Sequence, residues 1–85
     1  MKDTERFMIR PEKVDELKAG RTNIYLEDLI GFSRQYISEI FMGKRIIDRK
    51  AVKKILIPTC SEHVKLNAML QKDLDKTINY FFKKI

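Results

Sequence analysis

Arg34, Gln35, Ser38 and Glu39 are the side chains whose types and spacing suit a defined chemistry, because on a helix they gather on one polar face. An arginine can reach O6 and N7 of guanine, a glutamine N6 and N7 of adenine, and a glutamate accepts from N4 of cytosine. The same four residues would equally serve as a solvated helix surface, so the elements around them decide the reading. Met42-Gly43-Lys44-Arg45 follows at once. Its glycine can stop the helix, and its two cations would then stand where a phosphate backbone passes.

The residues before this face supply a turn. Gly31 can take the positive φ that ends one helix, Phe32 offers an apolar anchor, and Ser33 is a good N-cap for a helix over about 34–42. Ile37, Ile40 and Phe41 recur at helical spacing and make its buried stripe. Upstream, Thr22 or Asn23 can cap a helix over about 23–30, with Leu26, Leu29 and Ile30 at i, i+3 and i+4.

Taken together, residues from about Asn23 to Ile57 resemble the helix-turn-helix of the phage repressor and Cro-like (XRE-like) family. The likeness rests on the turn Gly31-Phe32-Ser33, the pair Ile37-Ser38 and the closing Gly43-Lys44-Arg45. It implies an all-α, compact five-helix DNA-binding domain with the motif at about 23–42 and helix 34–42 in the major groove of double-stranded DNA. Arg34, Gln35, Ser38 and Glu39 would read bases. Asn23, Tyr36, Lys44 and Arg45 would hold the backbone, with a thymine methyl as the other contact open to Tyr36. One position departs from the family pattern, which usually has a small residue four before the turn glycine where this chain has Glu27. A long carboxylate there must bend outward, toward Arg34 or the first amides of the next helix, or rotate the first helix of the pair.

The rest of the chain reads as support. Residues 1–9 are expected to form an N-terminal arm, and Pro11, Glu12, Val14 and Leu17 a helix over about 11–19 that Gly20 stops. Asp48 caps a fourth helix over about 49–57, which Pro58 ends; Thr59 and Glu62 then read as a capping box opening a C-terminal helical segment over 59–85, with a break near Asn67. Leu70, Leu74, Ile78, Phe81 and Ile85 keep one apolar face, which either closes the core or forms a homodimer seam. The expected core comprises Leu17, Leu26, Ile30, Phe32, Ile37, Ile40, Val52 and Ile55.

Composition sets the limits. Eighty-five residues with 44% apolar content suffice for one domain over 1–85, and a net charge of +6 favours a polyanionic partner. The cations Lys44, Arg45, Arg49, Lys50, Lys53 and Lys54 face Asp48 as the single acid in that stretch, a run that either contacts a backbone or is merely solvated. The single cysteine, Cys60, points to a reducing cytoplasm, and no run approaches the length of a signal peptide or membrane span. No nucleophile with a base, no metal cage and no nucleotide-cradling glycine loop is found, so an enzyme, a metal and a cofactor are not expected. The leading expectation is a small phage-type transcriptional regulator. Its rival is a protein-binding module on the same fold, such as an antirepressor or an inhibitor of a host defence nuclease.

Overall fold

A computed structural model describes residues 5–85. The chain enters as strand β1 (Arg6–Ile9), makes a 3-10 turn (Pro11–Lys13), and continues through α1 (Val14–Lys18), α2 (Asn23–Ile30) and α3 (Arg34–Phe41). Strand β2 (Ile47–Asp48) leads into α4 (Arg49–Ser61), followed by α5 (Val64–Lys72), α6 (Leu74–Phe81) and β3 (Phe82–Lys84). Mainly helical architecture agrees with the periodicities, but the resemblance implies five helices and the described residues form six α-helices with a small sheet.

The sheet corrects the expected N-terminal arm. Its order is β2-β1-β3, both pairings antiparallel, so residues 6–9 are the central strand; residues 1–4 of that arm lie outside the described residues. Phe7 and Ile9 alternate inward and are almost fully buried. Phe7 pairs with Ile47 on one side and Lys84 on the other, and Ile9 pairs with Phe82. The exposed Lys83 and Lys84 on the edge strand β3 discourage further strands from adding there.

Helix α4 runs 13 residues and passes through Pro58, which was expected to end it. A proline inside a helix removes one hydrogen bond, here the one to the Lys54 carbonyl. Continuing the helix buries Thr59 and Cys60 completely, and that packing outweighs the local defect. Thr59 is therefore no cap, and its hydroxyl is buried without a hydrogen-bond partner among the described residues. The capping box gives way to a different cap: Nδ1 of His63 accepts from the amide of Leu66 at 3.4 Å and starts α5. Glu62, freed from that role, accepts from Arg21 at 3.1 Å and from the Tyr25 hydroxyl at 2.8 and 2.9 Å, tying the start of α2 to the end of α4.

The break in the C-terminal segment falls at Asp73, not Asn67. Asp73 is extended (φ −160°, ψ 103°), ends α5 and caps α6 by accepting from the amide of Lys76. The buried hydroxyl of Thr77 lies 3.0 Å from the Met69 carbonyl and 2.9 Å from that of Asp73, sharing its proton between two acceptors that also take the backbone amides of Asp73 and Thr77. Along the apolar stripe, Leu70, Ile78 and Phe81 are buried and Leu74 partly so, while Ile85 is exposed; the buried part belongs to this chain's own core. Of the expected core residues only Phe32 stays partly exposed.

Candidate nucleic-acid interface

Each helix of the α2–α3 pair is set by its own cap. The Thr22 side chain accepts from the amide of Tyr25 at 3.1 Å, and Ser33 accepts from the amide of Tyr36 at 3.2 Å. Between them Gly31 sits at φ 94°, where an L side chain would be strained. A T-shaped contact of 4.9 Å between Phe32 and Tyr36 braces the turn. Asn23 is the first residue of α2, not its cap, and its buried side-chain Oδ1 has no hydrogen-bond partner among the described residues.

Inward, Ile37, Ile40 and Phe41 bury the apolar stripe of α3. Outward, Arg34 and Gln35 are exposed, while Ser38 and Glu39 are half-buried. The helix stops at Gly43 (φ 76°), whose amide reaches the Ile40 carbonyl while that of Lys44 reaches the Glu39 carbonyl, a Schellman closure. This reversal folds the following chain back across the outer face of α3.

Arg45 thus comes to lie on the face expected to read bases. Its Nε donates to Oε1 of Glu39 at 2.7 Å, and its guanidinium stands 5.1 Å from the centre of the Tyr36 ring. Gln35 donates to the other Glu39 oxygen at 3.4 Å, a long contact. Arg45, and then Gln35, hold the Glu39 carboxyl below the ordinary glutamate range. Two expected base readers and two expected backbone holders therefore form one connected array, which residue types alone did not reveal. The spacing from Glu39 to Arg45 is not a helical one; the pair exists only because Gly43 turns the chain.

The remaining candidates stand apart from that array. Ser38 donates to the sulfur of Met42 at 3.5 Å, and the exposed side chains of Arg34 and Lys44 have no hydrogen-bond or ion-pair partner among the described residues. Glu27 is half-buried and engages neither Arg34 nor the amides opening α3. Lys54, on α4, lies 5.5 Å from the Phe32 ring centre and reaches the turn that holds Gly31.

Two short capped helices joined through a left-handed glycine, the second with a polar outer face, define a helix-turn-helix protein. A family model described as Helix-turn-helix matches residues 16–57, and that segment belongs to this repressor and Cro-like family of DNA-binding regulators. No curated protein and no solved structure matches the chain. The matched segment takes in α2, the turn, α3 and most of α4, whereas the sheet strands β1 and β3 and helices α5 and α6 lie outside it.

Proposed function

We propose that the protein is a small phage-type transcriptional regulator that binds specific double-stranded DNA sites in the cytoplasm with α3 in the major groove. The observation that carries this reading is the outer face of α3: Arg34, Gln35, Ser38 and Glu39 stand on it, and none belongs to the hydrophobic core. Arg34 and Gln35 open the helix, where a recognition helix presents its base-reading side chains. Asn23, Tyr36, Lys44 and Arg45 flank this face and take the phosphates.

The array around Glu39 adds a step. An exposed ion pair contributes little to folding, so a phosphate can draw Arg45 away at small cost. Releasing Arg45 frees an ionised Glu39 acceptor for cytosine N4. A single such unit reads few base pairs, so two copies on an inverted repeat fit the reading, with half-site centres roughly 34–36 Å apart.

Random-site enrichment followed by variants tests the proposal. A consensus should emerge, and Gln35→Ala should cost about 1–3 kcal/mol on it while relaxing preference at one or two positions. Lys44→Ala should weaken binding to all duplexes alike and make the slope of log affinity against log salt shallower by about one. Failure to recover any consensus at low salt would overturn the reading and favour the protein-binding module.

A further inference from the structure

We propose that the outer face of α4 and the end of α2 form a docking groove for an acidic protein segment carrying a bulky apolar side chain. The groove encloses about 570 Å³. Ile30, Ile57 and Pro58 make its apolar part, and Lys50, Lys53 and Lys54 its rim. Ile57 is 46% exposed and shares the groove with Ile30, Pro58 and three lysines, so apolar and cationic surface meet there.

Charge complementarity names the occupant. Arg49, at the groove's end, is already paired with Asp75 and Glu5, whereas the three rim lysines have no carboxylate partner among the described residues. Lys50 and Lys54 are four apart, as are Lys53 and Ile57, so the three cations share one helix face with the exposed isoleucine and lie on its N-terminal side. From Lys50 to Pro58 the helix rises roughly 12 Å, enough for a short segment with an apolar anchor at the Ile57 end and acids along the lysines.

A nucleic-acid backbone would use the lysines and leave the isoleucines idle. An apolar side chain in an acidic context uses both, because burial of Ile57 then occurs where its charged neighbours are neutralised. None of the residues proposed above to touch DNA lines this groove, so the inference does not rest on that reading.

The test uses a dye-labelled synthetic peptide, Asp-Glu-Asp-Leu-Phe-Asp-Asp-Leu, and a control with its Leu and Phe replaced by Ser. Anisotropy titrations at about 0.15 M salt should show the first peptide binding at least about tenfold more tightly. Ile57→Glu and Lys53→Glu should each remove that preference, while Lys65→Glu on α5 leaves it intact; circular dichroism confirms that each variant is folded. Equal binding of the two peptides would overturn the proposal, leaving only charge attraction. So would binding of decanoate in place of the peptide, which would make the groove a small-amphiphile site. An Ile57→Glu protein that keeps its peptide preference but loses affinity for every DNA duplex would overturn it too, in favour of a backbone contact.

Discussion

Ser33 and Gly31 act within a few residues of themselves, whereas Phe7 has no place to go until Ile47 and Lys84 arrive on either side of it. The α2–α3 pair is built from local signals, a cap, a left-handed turn and an apolar stripe. The closure made by β1, α6 and β3 is built from pairings between distant stretches, with Phe7, Phe81 and Phe82 fully interior. Local signals suffice to shape the polar outer surface of α3. Holding that surface rigid falls to residues with no part in it.

The sharpest way to break this comparison is to empty the closure. Phe81→Ala should cost about 3–5 kcal/mol, enough to unfold much of a small domain, measured by urea denaturation. A loss below about 1 kcal/mol would mean that the closure is an appendage. Ile37→Ala, on the motif side, should cost about 2–5 kcal/mol in the same assay. If the two regions share one core, each variant should leave a single transition whether followed by far-ultraviolet dichroism or by tyrosine fluorescence.

Cys60 reports on the same cooperativity without a destabilising change. Burial pushes its thiol up to about 11, so near pH 8 very little thiolate is present. Its alkylation should be slow in the folded protein and rise to the rate of an ordinary thiol across the unfolding transition. Fast labelling of the native protein would show that the end of α4 opens by itself. Among caps, Ser33→Ala should cost about 1 kcal/mol and so should Asp73→Ala, one in each region.

The smallest effect tests backbone strain. Ala19 closes α1 at φ 51°, next to Gly20 at φ 80°. Ala19→Gly should relieve the left-handed penalty and raise stability by about 0.5–1 kcal/mol, read as a higher urea midpoint.

How far the fold was legible follows the same division. Thr22, Ser33 and Asp48 each cap a helix as their types suggest, and Gly31 turns where a glycine was needed. Pro58 misled because the rule that proline ends helices is local, and the burial of Thr59 and Cys60 that overrides it is not. Strands of four, two and three residues carry too little alternation to be seen, and their partners lie far away in the chain. At the candidate site, residue types marked α3 as polar. They could not show that Arg45 returns to Glu39, because that contact is made by the reversal at Gly43.

The pairing of β1 with β3 also orders events in time. At roughly 5–20 residues per second, translation separates the appearance of Phe7 from that of Phe82 by about 4–15 s. During that interval α2 and α3 can form from their own signals, and Phe7 can meet Ile47, while the β3 side of β1 stays open on a growing chain. The first strand made is thus covered on its second side only by the last. Until Phe82 emerges, the helices that form early remain without their lock.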